Sequence, residues 1–213
     1  MKTVEFVALL ARGAGAGIGT APKRRFSVAL GWGAFGAVLL MSVMLGVRSD
    51  LEQAAGVPMF WVKFVFAAIL TGAGLVGALR LSRPGAVLGR VPVAVGLTLA
   101  AVWLLAGAQL LEAHPGARID LILGDTWRSC PWNIAALSIP AFGATFWAMK
   151  GLAPTRLRAA GAVSGLLSGA LAALVYTLHC PELAAPFIAI WYVSGILVPT
   201  LIGALVGPWL LRW

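Results

Sequence analysis

Two cysteines, Cys130 and Cys180, and two histidines, His114 and His179, carry the richest side-chain chemistry in this 213-residue chain. Each cysteine precedes a proline, in Cys130-Pro131-Trp132-Asn133 and in His179-Cys180-Pro181-Glu182. Three chemistries suit such a pair. One is a disulfide, which persists on the oxidising outer side of a bacterial inner membrane. The second is a soft-metal site, since thiolates select ions such as copper, zinc or cadmium. His179 and His114 are then the candidate co-ligands, and Met41, Met44 and Met59 offer thioethers. The third is inert packing of small apolar side chains. No ligand spacing approaches a zinc motif, and no CxxC motif is present. Pro131 suits the first position of a helix, which makes Cys130 an N-cap with its thiolate favoured by the helix dipole. Cys180 falls at a helix C-terminus, where the field is reversed. Cys130 is therefore expected to be the more reactive thiol, and Cys180 its resolving or co-ligating partner.

Catalytic motifs are absent. There is no HExxH, no GxSxG, no Walker loop and no nucleotide fingerprint. The glycines at 13, 15, 17 and 19 neither follow a strand nor open a helix, so they form no phosphate loop. An enzyme is not expected, and no cofactor is assigned beyond the soft metal ion that the cysteines would take.

The elements that must position the thiols follow from composition. The chain is 61% hydrophobic and 11% charged, far from the balance of a soluble domain. Six apolar runs are long enough to cross a bilayer, at roughly 26–46, 58–79, 91–111, 131–149, 159–178 and 186–210. The fold class read from them is all-α: a polytopic bundle of six transmembrane helices over 26–213, preceded by a cytoplasmic segment, 1–25. The net charge of +9 would suggest nucleic acid in a soluble protein. Sorted by loop, twelve of the sixteen basic residues fall with the two termini and the 2–3 and 4–5 loops. Three, Arg48, Arg118 and Arg128, fall on the other side with six of the seven acids. The excess of basic residues assigns both termini to the cytoplasm and reports topology, so no direct nucleic-acid contact is expected. It also places both cysteines at the same outer surface. The apolar stretch 6–11 is too short for a cleaved signal peptide.

Within the spans, Gly161, Gly165 and Gly169 form a strip of small residues, as do Gly203 and Gly207. Such strips let helix backbones approach closely, here within one chain rather than across a dimer. Pro140 and Pro199 lie inside spans and are expected to kink them. Trp61, Trp103, Trp127, Trp132, Trp147, Trp191, Trp209 and Trp213 read as interfacial anchors. Lys63 is the ionisable residue inside a span, and its stem is expected to snorkel to the outer interface, the alternative being an inward-facing charge paired with an outer-side carboxylate. Residues 2–12 are able to form a short helix with Val4, Phe6, Val7 and Leu10 on its apolar arc and Glu5 among its polar residues. Too short to stand alone in water, it needs a docking surface, either the lipid bilayer or a groove on a cytoplasmic protein.

Several passages together resemble the NrsF-type membrane anti-sigma factors (negative regulator of sigma F) of proteobacteria. They are Val47-Arg48-Ser49-Asp50-Leu51, Phe60-Trp61-Val62-Lys63, Arg80-Leu81-Ser82-Arg83-Pro84-Gly85, the two Cys-Pro motifs, Leu152-Ala153-Pro154-Thr155-Arg156, Pro186-Phe187 and Trp191-Tyr192. The resemblance implies an inner-membrane protein whose cytoplasmic N-terminal part holds an extracytoplasmic-function sigma factor inactive. It further implies that metal or redox stress at two periplasmic cysteines, matching Cys130 and Cys180, releases the sigma factor. The contrasting reading of a six-span chain is a small-solute or metal-ion transporter.

Overall fold

The computed structural model describes Glu5, residues 21–152 and residues 154–212. Among these the secondary structure is helical, with no strand. The helices are α1 (Ala21–Met44), α2 (Leu51–Ala55), α3 (Pro58–Leu81), α4 (Val91–Glu112), α5 (Arg118–Leu123), α6 (Cys130–Lys150), α7 (Leu157–Tyr176) and α8 (Ala185–Leu210). A single 3-10 turn, Pro115–Ala117, leads into α5. The apolar runs and the long helices agree to within a few residues. α1 is the exception in register, because it starts inside the segment expected to precede the first span.

Among the described residues five helices are long and apolar enough to cross a membrane: α1 from Pro22, α3, α4, α7 and α8. The sixth expected span is a 21-residue helix, α6, but Pro131, Asn133, Pro140 and Lys150 make it more polar than the others. Large apolar side chains stand exposed along the bundle, including Val43, Leu104, Leu111, Leu205 and Trp209. A surface of that kind is covered by lipid in a protein whose helices span a bilayer.

Proline fixes several helix starts. It occupies one of the first two positions of α3, α4, α6 and α8, where its missing N–H would have had no partner. Gly46 ends α1: its amide and that of Leu45 both donate to the Met41 carbonyl at 2.9 Å, and its φ of 76° suits glycine.

α7 is the central helix, packed against α8, α6 and α3. Its glycines face α8. A Cβ at Gly161 would strike the Gly203 carbonyl, and one at Gly165 the Pro199 carbonyl. The small-residue strips therefore pack within the chain, as expected. The same device recurs at positions the sequence reading passed over. Gly74 of α3 lies against the Leu167 backbone, and Gly33 and Gly36 of α1 lie against Ala141 and Pro140. Pro140 is inside α6, and Pro199 and Pro208 are inside α8. α8 also widens into a π turn at Ile188–Tyr192, which is placed beside the cysteines. The tryptophans divide. Trp61, Trp103, Trp132, Trp147 and Trp209 are exposed. Trp127 and Trp191 are instead half-buried ring partners, and the Trp191 Nε1–H donates to the Ile122 carbonyl at 2.8 Å. Trp213 lies outside the described residues.

Candidate functional site

The two cysteines meet. Cys130 and Cys180 are free thiols, both fully buried, and their side chains lie within hydrogen-bonding reach of one another. They come together because α6 begins and α7 ends at the same end of the bundle. Cys130 is the first residue of α6, not its N-cap; that position belongs to Ser129, whose side chain makes no capping bond. Pro131 is thus second in the helix, one place later than expected. Cys180 lies beyond α7, and its amide donates to the Tyr176 carbonyl at 3.0 Å.

Around the thiols stand groups that sequence reasoning did not assign. Lys63 of α3 is fully buried, so its stem does not snorkel. Its Nζ donates to the carbonyls of Cys180 and Glu182, each at 2.9 Å, and sits 5.1 Å from the Tyr192 ring centroid. Snorkelling fails because the turn after α7 folds over the N-terminal end of α3 and supplies two backbone acceptors to the ammonium. Tyr176 and Tyr192 are buried with ring centroids 5.8 Å apart, and Asn133 Nδ2 donates to the Tyr176 hydroxyl at 3.3 Å. The Tyr192 hydroxyl has no aligned hydrogen-bond partner, yet lies near enough to Cys180 to favour its thiolate.

These surroundings reverse the order of reactivity expected from helix ends. The hydrogen bond from Cys130, the Lys63 ammonium and the Tyr192 hydroxyl bring the Cys180 thiol down to about 6, against burial, which raises it. Cys180 is therefore the thiolate-prone member of the pair. The helix-end argument leaves out the neighbouring Cys130 side chain and, after it, the Lys63 ammonium, both of which act on Cys180 from other elements of the fold.

The turn carrying Cys180 is clasped from three sides. The end of α1 supplies Arg48, whose amide donates to the Leu178 carbonyl at 3.1 Å and whose Nη1 donates to the Cys180 carbonyl at 3.3 Å. Arg48 is oriented by a two-pronged bond to Asp50, both prongs at 2.7 Å, which holds the Asp50 carboxyl below its ordinary value. The α5–α6 loop supplies the amide of Asp125, which donates to the Glu182 carboxylate at 2.8 Å. Gly124, at φ 55°, lets this loop press on that carboxylate. Helix α4 supplies Gln109, which accepts from the Ala185 amide at 2.9 Å.

Of the other expected site residues, His179 lies beside this group, its ring centroid 5.5 Å from that of Tyr176. The His179 ring pairs through Nδ1 with the Gly46 carbonyl at 2.9 Å, and His114 is exposed. Among the described residues no group of three or more His, Cys, Asp or Glu side chains is placed to hold a metal ion. Val4, Phe6, Val7 and Leu10 lie outside the described residues, and Glu5 is exposed. Glu182 and Tyr192 were visible beforehand only as members of the motif passages, Arg48 only as one of the loop charges, and Lys63 only as a cation inside a span.

Comparison with known proteins supplies a family. The sequence profile of a family described as "Negative regulator of sigma F" matches residues 10–213. A protein of Azospira oryzae, "Probable anti-sigma-F factor NrsF", is 52% identical over 213 residues, covering all of both chains. A protein of Caulobacter vibrioides, "Anti-sigma-F factor NrsF", is 41% identical over 215 residues, again covering all of both. No solved structure matches.

Proposed function

Because the chain belongs to the family of negative regulators of sigma F, we propose that it is an anti-sigma factor, a regulator and not an enzyme, that keeps a sigma factor at a membrane. The observation that carries this is likeness along the entire chain to two relatives named as anti-sigma-F factors. The sigma factor is of the extracytoplasmic-function class. The bundle sits in a bacterial inner membrane as six spans, with α6 shielded from lipid in part by α7 and α1, and with both termini in the cytoplasm. The segment ahead of α1 grips the sigma factor through the apolar arc of Val4, Phe6, Val7 and Leu10.

The thiol pair then faces the periplasmic side as the sensor of redox or metal stress. Two adjacent buried thiols, one of them thiolate-prone, suit oxidation to a disulfide with loss of two protons and two electrons to an external oxidant. They equally suit capture of a soft ion by two sulfurs. Either event removes the Cys130–Cys180 hydrogen bond. A signal shifts the equilibrium between the holding and releasing states only through different affinity for the two.

Affinity capture from detergent extract tests the assignment. The full chain should retain a sigma factor, and a chain lacking residues 1–20, which leaves α1 whole, should not. Equal retention by both would move the grip elsewhere, and retention by neither would overturn the anti-sigma reading.

A further inference from the structure

A lysine inside an apolar helix is costly and persists where it has work to do. Lys63 is buried, and its bonds go to two backbone carbonyls of the turn that follows α7. One of those acceptors, the Cys180 carbonyl, also receives Arg48 from the end of α1. A second link runs alongside, from the Gly46 carbonyl to the His179 ring at 2.9 Å. Residues 178–182 therefore carry the Cys180 sulfur, lean on the Lys63 ammonium, and hold Gly46 and Arg48, which directly follow the last turn of α1. That helix is the one whose other end leads to the N-terminal segment.

Resting on the anti-sigma reading, we propose that Lys63 is a positioning residue that couples the sulfur pair to α1 through the shared Cys180 carbonyl. The ammonium responds to charge at the neighbouring sulfur: a negative sulfur attracts it, and a neutral or ligated one does not. Any shift of Nζ changes its hold on the Cys180 carbonyl, and Arg48 donates to that same oxygen. The turn has few ways to move without α1, because the Arg48 amide is bonded to Leu178 and Gly46 to His179. Chemistry at a buried sulfur is thereby read at the end of a helix that the sulfur does not touch.

The test uses the full chain in lipid nanodiscs, with two readouts: hydrogen exchange of the peptide bearing Gly46 and Arg48, and the alkylation rate of Cys180 by N-ethylmaleimide. Lys63→Met should speed exchange of that peptide at least about tenfold and slow Cys180 alkylation. Arg48→Gln should speed the exchange to a similar degree and leave alkylation near the wild-type rate. In the unsubstituted chain, methylthiolation of the cysteines with methyl methanethiosulfonate should by itself speed exchange at Gly46 and Arg48. That arm stands even where Lys63→Met does not fold. Unchanged exchange after methylthiolation would overturn the coupling, as would alkylation slowed equally by both substitutions. Retention of the sigma factor, measured on the same samples, separates the two readings: its absence removes the anti-sigma function, whereas a silent exchange pattern removes only the coupling.

Discussion

The two ends of the bundle are built on different physics. At the thiol end, the loops after α1, α5 and α7 are tied to one another and to α3 by directed hydrogen bonds to Leu178, Cys180 and Glu182. The opposite end rests on an apolar cluster containing Phe26, Leu81, Phe146, Met149 and Leu211. Of its cations, Arg80 is exposed and donates to the Leu88 carbonyl at 3.3 Å, while Arg25 is half-buried and stacks 4.7 Å over the Trp147 ring. Apolar packing is non-directional and tolerates small adjustments, whereas a buried polar network has a few discrete arrangements and is disturbed by one proton or one ligand. The contrast teaches where a chemical signal has leverage. A change of charge among buried, oriented groups has large consequences, and the same change at a solvated rim has few.

Substitutions test that contrast in descending order of effect. The largest should come from the α7–α8 contact toward the apolar end. Gly161→Leu places a side chain against the Gly203 and Gly207 backbone, and overpacking of this kind costs about 3 kcal/mol or more. Thermal unfolding in detergent should show a drop of many degrees or loss of the folded bundle. An unchanged midpoint would mean that the two helices separate easily and that the ends act independently.

Next, Glu182→Ala leaves the Asp125 and Thr126 amides without their acceptor and should destabilise by about 1–2 kcal/mol, less than for a buried group because the site is partly solvated. Chemical denaturation would measure it, and a neutral result would show that the thiol end does not depend on its hydrogen bonds.

A third prediction concerns pH. The thiolate is the nucleophile, and the Cys180 thiol is held down to about 6, so its reactivity should rise with pH to a midpoint near 6. An unperturbed cysteine would give a midpoint near 8.5. Cys130→Ala removes the largest lowering influence and should move that midpoint upward. Mass-spectrometric labelling across a pH series would read both, and an unmoved midpoint would remove the thiol–thiol hydrogen bond from the account. The smallest effect belongs to the opposite end. Thr155→Ala loses one exposed bond from the Gly85 amide at 3.3 Å and should change stability by less than about 0.5 kcal/mol.

The long helices were legible in the chain because they are apolar runs, most of them opened by proline, two local properties. The small-residue strip of α7 was legible for the same reason, since glycines four apart share one helix face. The cysteine pair was half legible. Loop charge placed both thiols at one surface, but contact between them depends on α6 and α7 being packed side by side at that end. Lys63 was read wrongly. Its distance from the outer end of its own helix suggested escape to solvent, and what traps it is a turn more than a hundred residues further on.

The sequence by itself determined that this is a chain of long apolar helices with small-residue seams, carrying two Cys-Pro motifs and belonging to one family. Periodicity, composition and motif identity are written residue by residue, so they survive without coordinates. Only the tertiary structure decided that Cys130 and Cys180 touch, that Cys180 is the thiolate-prone member, and that Lys63 and Arg48 share one carbonyl. Those facts depend on which elements lie beside one another, and in a buried site the electrostatic balance is set by neighbours in space rather than by neighbours in the chain.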